Sequence, residues 1–327
     1  MLRYFLRRLL YMAVTMLAVS VVTFIIIQLP PGDFMTSYIA TLEAQGGILE
    51  QAEIEALRFR YGLDQPLYTQ YLKWLRGVLR GDFGVSFEWN KPVSELIWGR
   101  LGLTFLLSFS ALIINWIIAF PVGVYSAVHQ YSLGDYVFTG LAFVSASIPH
   151  FLIALVLMWL MFKHFGLNIT GLFSTKFADA PWSLAKVLDM LKHVWAPLLI
   201  LGFFGGASLI RVMRANLLDE LHKPYVVTAR AKGLTESRLI RKYPVRVALN
   251  PFVSTVGWAL PGLISGTTII AIVLGLPTTG PMLLRALRSQ DMYLAGSFLA
   301  LLSLLTIIGT FISDLLLAWL DPRIRLG

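Results

Sequence analysis

Residues 216–251 read NLLDELHKPYVVTARAKGLTESRLIRKYPVRVALNP, a polar, basic island between two long apolar stretches. From Arg211 to Arg246 the chain carries nine Lys/Arg against three Asp/Glu. Pro224 suits a first helical position, where its missing N–H costs no hydrogen bond. Tyr225 to Lys232 then read as a short helix with small Ala229 and Ala231, and Gly233 allows the positive φ that closes it. Thr235 is a candidate N-cap for a second short helix, Ser237 to Tyr243, which bears Arg238, Arg241 and Lys242. Two short helices around a glycine turn, with small residues beside it, make a socket that another protein can approach closely. The plainer alternative is a solvated basic loop that only sets topology.

The rest of the chain decides what carries this island. Its 327 residues are 57% hydrophobic, with a mean hydropathy of +0.72. Soluble domains sit near ~45–50% apolar, so an integral membrane protein is implied. The net charge of +9 would suit nucleic acid, but the basic residues cluster beside apolar spans, as the positive-inside rule requires. Nucleic acid is therefore not an expected partner, whereas the lipid bilayer is. The absence of cysteine excludes a disulfide framework, a thiol nucleophile and a thiolate metal site.

A spanning helix takes about 20 mostly apolar residues. Six stretches qualify, at about 9–29, 101–128, 137–162, 195–215, 248–275 and 297–319. Arg3, Arg7 and Arg8 before the first would also suit a signal peptide. Its apolar core is too long for one, and Leu29-Pro30-Pro31-Gly32-Asp33 follows in place of a small-residue cleavage site. The first helix is read as retained, with a cytoplasmic N-terminus. Six spans return the C-terminus, with Arg323 and Arg325, to the cytoplasm and put the 216–247 loop there too. The 129–136 loop has no Lys or Arg and does not bear on orientation.

Residues 30–100 then lie outside. Ile48, Ile54, Leu57 and Tyr61 recur at helical spacing, and Gly62 ends that helix. Pro66 to Leu79 form an amphipathic stretch with Leu67, Tyr71, Trp74 and Val78 on one stripe, followed by a turn at Arg80-Gly81-Asp82-Phe83-Gly84. This elaboration either caps the outer helix ends or docks an external partner. No linker or low-complexity tract divides the chain, so residues 1–327 are read as one all-α membrane domain with an external elaboration.

Catalytic signatures are missing. There is no phosphate-binding G-x-x-x-x-G-K-[ST], no H-E-x-x-H and no G-x-S-x-G. The histidines are scattered; His150, after Pro149, reads as structural or interfacial before it reads as a ligand. Asp314 is placed within reach of the interface or of a neighbouring helix. No metal site and no enzyme activity are expected. Asn115, in the second span, either lines a solute path or donates an interhelical hydrogen bond. In the fifth span, Gly257, Pro261, Gly262, Ser265, Gly266, Thr267 and Thr268 either let helices pack closely or leave room along a path for a bulky solute.

The segment YVVTARAKGLTESRLIRKYPVRVALNP resembles the cytoplasmic EAA loop of ABC-importer permeases. The general pattern is E-A-A, three residues, Gly, nine residues, then I-x-L-P. With Gly233 as its glycine, E-A-A falls on Val227, Thr228 and Ala229, and I-x-L-P on Tyr243, Pro244, Val245 and Arg246, so the first Glu and the last Pro are absent. The local form Y-V-x-T-A-R-A-K-G-L is typical of the dipeptide/oligopeptide/nickel permeases. MLRYFLRRLL with Pro31-Gly32-Asp33, then Gly62-Leu63-Asp64-Gln65-Pro66-Leu67 with Tyr71 and Trp74, then Gly81-Asp82-Phe83-Gly84 with Ser86, resemble the B-type subunit of that family. Gly275-Leu276-Pro277-Thr278-Thr279-Gly280 is similar to a segment usually written G-L-P-G-L-G. Ala271 replaces a frequent Glu before it, and Gln290-Asp291-Met292-Tyr293 replace R-D-Y-P after it.

The resemblance implies the type I ABC importer permease fold of six transmembrane helices, in a prokaryotic plasma membrane. It implies a second homologous permease subunit, two cytoplasmic ATPases that bind ATP and Mg, an extracytoplasmic solute-binding protein, and peptide cargo. No cofactor is bound by this chain itself. Tyr225, Thr228, Ala229, Arg230, Ala231 and Gly233 would form the ATPase-coupling loop. Asn115, Gly262, Ser265, Gly266 and Thr267 are the candidates for the path. Oligosaccharide cargo on the same machinery stays open. An ion-driven secondary transporter is a further alternative, but it would want repeated halves and midplane ionisable groups, and neither is visible.

Overall fold

The computed structural model describes residues 2–29, 62–250 and 268–320, with 34–36, 38–39, 54–56, 58–59 and Phe252 between them; for 2–9 and 313–320 it describes the backbone alone. Regular structure among the described residues is helical, apart from one isolated antiparallel bridge between Val85 and Pro92. The helices are α1 (Leu2–Gln28), α2 (Leu67–Leu79), α3 (Val93–Val128), α4 (Leu133–Ser147), α5 (His150–Phe165), α6 (Leu184–His193), α7 (Trp195–Leu221), α8 (Pro224–Ala231), α9 (Glu236–Lys242), α10 (Pro244–Ala248), α11 (Thr268–Val273), α12 (Thr279–Arg288) and α13 (Met292–Leu320).

Among the described residues, four helical segments are long and apolar enough to cross a bilayer alone: Leu10–Gln28, Val93–Val128, Trp195–Leu221 and Met292–Ile312. The expected third span, 137–162, is not one rod. It is α4 and α5, bent by 97°. Pro149 causes the bend, because its ring pushes the preceding residue out of helical geometry; Ile148 is extended, at φ −96° and ψ 125°. Most of the expected fifth span, including Gly257, Pro261, Gly262, Ser265, Gly266 and Thr267, lies outside the described residues, as do Pro30–Asp33, Ile48, Leu57, Tyr61, Arg323, Arg325 and the side chain of Asp314. The described residues thus show four such helices and one bent pair, with the two ends of the fifth stretch.

The chain divides into two compact units, Met1–Gly102 with Thr278–Ile307, and Leu103–Pro277 with Ile308–Gly327. In the first, α2 lies along α1. Ser20 and Tyr71 share a hydrogen bond of 2.8 Å between their hydroxyls, and Phe24 meets the Tyr71 ring edge-on. Trp74 is the buried member of the amphipathic stripe. Its indole N–H donates to Ser297 at 3.1 Å. Leu67, expected on the same stripe, is exposed. Asp291 is fully buried. It accepts from the Leu294 N–H at 3.1 Å, capping α13, and from the Ser86 hydroxyl at 2.5 Å and the Glu88 N–H at 3.2 Å. The same carboxylate therefore pins the 82–92 turn to the start of α13, and burial pushes its pKa up.

In the second unit α3 and α7 cross closely. A Cβ added to Gly202 would lie 2.8 Å from Ile114, and one added to Gly123 would lie 2.6 Å from Met213. Contacts that advance together along both helices mean that the two run parallel. The α4–α7 contacts instead run in opposite order: Asp135 meets Arg214, and Ser145 donates to the Phe204 carbonyl at 2.7 Å. That carbonyl belongs to an irregular stretch of α7, where a π turn (Leu199–Phe203) passes into a 3-10 turn (Phe204–Gly206). Such local departures from α geometry free backbone groups that neighbouring helices must satisfy.

Candidate functional site

The basic island folds as α8, a turn and α9. Pro224 occupies the first turn of α8, as expected. Gly233 has φ +82°. Its N–H donates to Arg230 at 3.0 Å, and the Leu234 N–H to Ala229 at 3.3 Å, the paired bonds of a Schellman C-cap. Val226, Ala229 and Leu239 are buried between the helices, with Leu234, Ile240 and Tyr243 packed around them. The hairpin thus has a small core of its own. Thr235 stands at the N-cap of α9 with extended backbone, but its side chain makes no capping bond.

Polar contacts brace the outside. Arg230 forms a fork-like pair with Glu236 across the turn, and that hydrogen bond and charge hold the Glu236 carboxyl below its usual range. The Tyr225 hydroxyl bonds Glu220; burial, then this bond, raise the Tyr225 pKa. The Thr228 hydroxyl folds back on the Pro224 carbonyl at 2.9 Å. Of the residues expected to form the coupling surface, Tyr225, Thr228, Arg230, Ala231 and Gly233 are exposed, and Ala229 is buried. Ala229 is small because α8 and α9 close on it. Val227, on which the E of the E-A-A pattern falls, is exposed too.

The hairpin is fixed to the spans. Val245 and Ala248 of α10, with Phe252, pack on Met213 and Leu217 of α7 and on Ala119 and Ala127 of α3. Arg214 grips both Asp135 oxygens, at 2.7 and 2.8 Å. Asp135 also accepts from the Tyr131 N–H at 3.0 Å and from Thr139 at 3.1 Å. This pair ties the 129–135 turn to α7, and sequence reading missed it.

Asn115 sits away from the hairpin, buried at the α3–α7 crossing. A Cβ on Gly206 would lie 3.0 Å from its Oδ1, and that oxygen has no hydrogen-bond partner among the described residues. Its proposed companions Gly262, Ser265, Gly266 and Thr267 lie outside the described residues. Among the described residues, no group of three His, Cys, Asp or Glu side chains is placed to hold a metal ion.

A multi-span helical membrane protein that braces a basic loop into an exposed helix hairpin has the architecture of a transport permease. Comparison with known proteins gives the family. Residues 119–326 match the binding-protein-dependent transport system inner membrane component family, and residues 1–108 match the N-terminal domain of the same membrane components. The chain belongs to this family, whose members are transport permease subunits. It is 33% identical to the oligopeptide transport system permease protein AppB of Bacillus subtilis over 98% of this chain and 99% of the relative. It is 30% identical to the dipeptide transport system permease protein DppB of Escherichia coli, over 99% of each chain. It is 29% identical to the oligopeptide transport system permease protein OppB of Mycobacterium bovis over the whole of both chains.

Proposed function

We propose that this chain is a permease subunit of an ATP-driven importer of peptides. It acts as one domain of six spans with both termini in the cytoplasm of a prokaryotic cell, and it pairs with a second, homologous permease. Two cytoplasmic ATPases, holding ATP and Mg, dock on the α8–α9 hairpin, and an extracytoplasmic binding protein delivers the solute. The observation that carries the reading is the hairpin itself: a braced element joined to α7 through α10, and so able to transmit displacement to the spans. Tyr225, Thr228, Arg230, Ala231 and Gly233 form the docking face, and Ala229 sets its shape from beneath. Asn115, Gly262, Ser265, Gly266 and Thr267 are retained as residues of the path.

The test is uptake into vesicles that hold this chain with its second permease, ATPase pair and binding protein. ATP is supplied on the hairpin side, a labelled mixed-peptide pool is offered from the other, and oligosaccharides serve as competitors. ATP-dependent peptide accumulation that Gly233→Glu abolishes is the expected result. Accumulation suppressed by sugars would change the cargo. Uptake without ATP dependence would overturn the coupling role.

A further inference from the structure

Arg211 lies on α7 one turn before Arg214 and turns toward α4. Its guanidinium stands 5.2 Å from the Phe143 ring centroid, and its Nε is buried with no hydrogen-bond partner among the described residues. Its neighbour Arg214 consumes Asp135, which is the acid of α4. The acids of α7, Asp219 and Glu220, are eight and nine residues further on, ~12 Å along the axis, and Glu220 is engaged by Tyr225. No ion pair joins Arg211 to a carboxylate among the described residues. A cation left so in a spanning helix is costly unless an anion meets it.

The surroundings say which anion. α4 buries only Asp135, Ala142 and Ser145. Its Val137, Leu141, Phe143 and Val144 are exposed and apolar, a surface suited to acyl chains and not to the backbone of a peptide in transit. Along α7, Arg211 stands one turn, ~4.5 Å, from Arg214, near enough to the polar Asp135 end of α4 for a long side chain to snorkel toward a headgroup.

We propose that Arg211 binds the phosphodiester of an anionic phospholipid seated in the groove between α4 and α7. The planar guanidinium offers a phosphate two parallel N–H donors, Phe143 covers one face of the cation, and the acyl chains lie along the exposed side of α4. An anionic headgroup is selected over a zwitterionic one because the charge of Arg211 is otherwise unneutralised. In the orientation proposed above this site lies in the inner leaflet; the site itself does not depend on that orientation.

The experiment reconstitutes the full chain in bilayers of phosphatidylglycerol and phosphatidylethanolamine, extracts it in mild detergent and counts retained lipids by native mass spectrometry. The wild type retains phosphatidylglycerol preferentially. Arg211→Gln lowers that retention about fivefold, the loss of one juxtamembrane cation, whereas Arg246→Gln, at an exposed arginine of α10, leaves it unchanged. Equal retention in Arg211→Gln and wild type would overturn the site. A second reading needs no variant: the delipidated wild type gains thermal stability from phosphatidylglycerol. An equal gain from phosphatidylethanolamine, or from inorganic phosphate alone, refutes an anionic-lipid site.

Discussion

Replacing Gly233 separates what the hairpin costs to fold from what it does when folded. The residue has φ +82°, and a Cβ added there would meet nothing within 4 Å. Gly233→Ala therefore introduces no clash inside the chain. Its whole cost is the left-handed backbone of an L-residue, ~1–2 kcal/mol, or roughly a five- to thirtyfold shift toward the opened hairpin. Asn tolerates this region better than Ala, so Gly233→Asn should cost less. Gly233→Glu pays the same backbone cost as Ala and adds bulk and charge on an exposed face. Hydrogen exchange of the amides between Val226 and Ile240 reads the folding cost; ATP-dependent uptake and ATP hydrolysis read the coupling. The expected pattern is exchange faster by a similar factor in the Ala and Glu variants, with uptake weakened in Ala, nearly spared in Asn and abolished in Glu while hydrolysis continues. Equal loss of uptake in Ala and Glu would remove Gly233 from the contact face. Unchanged exchange in Gly233→Ala would refute the role given to its backbone.

Further outcomes follow from the braces. Asp135→Ala strands a half-buried guanidinium and should destabilise the fold by ~3–5 kcal/mol, and Asp135→Ala with Arg214→Met should recover part of that; thermal unfolding in detergent measures both. Asp291→Asn sets an amide N–H₂ against donors whichever way it is turned, at a cost of ~1–3 kcal/mol, seen as earlier proteolysis near Ser86. The Glu236 carboxyl is held below its usual range by Arg230, so the stability it contributes is present above the unfolded-state value. It is lost as pH falls through the lowered folded value. The protection factors of the hairpin amides should fall below about pH 4, and Glu236→Gln should remove that fall.

The parts of this fold that local chemistry sets were legible in the sequence. Pro224 starts α8 and Gly233 stops it, and Gly62, read as a helix end, has a positive φ of +69°. Tertiary effects were not legible. Pro149 was visible, yet whether neighbouring helices absorb a proline or let it bend a span depends on packing, and here the span bends. Asp135 lay in a turn that looked silent because it held no Lys or Arg; its partner is 79 residues away. Asp291 looked like a departure from a family segment and turns out to cap α13 and hold the 82–92 turn. Ala229 was read as room for a partner; it is buried with Val226 and Leu239 in the small core between α8 and α9. In each case a residue type marked a special position, and only the residue packed against it fixed what that position does.

The parallel course of α3 and α7 bears on topology independently of charge. Two neighbouring spans that run the same way need an odd number of crossings between them. The bent α4–α5 pair must therefore count as one crossing despite its 97° angle, and α4 starts that crossing antiparallel to α7. The C-terminal ends of α3 and α7 then share a side of the membrane, as their followers do: the turn that holds Asp135 follows one, and the α8–α9 hairpin follows the other. The Arg214–Asp135 pair joins the two ends directly. Geometry thus places the turn and the hairpin together; in the orientation proposed above that side is the cytoplasm, in keeping with the hairpin's excess of Lys/Arg. A force applied at the hairpin meets α7 first, through the packing of α10 on Met213 and Leu217. From there it reaches α4 through the Arg214–Asp135 pair. The irregular Leu199–Gly206 stretch lies beyond both attachments, so the lower half of α7, from Ala207 to Leu221, can move with the hairpin as one piece, and bending is concentrated where the helix is already irregular. Cross-linking the hairpin to α10 should therefore leave transport intact, whereas locking α7 straight by replacing Gly205 and Gly206 with alanine should slow it; equal transport in the two alanine variants and wild type would remove the hinge from that stretch.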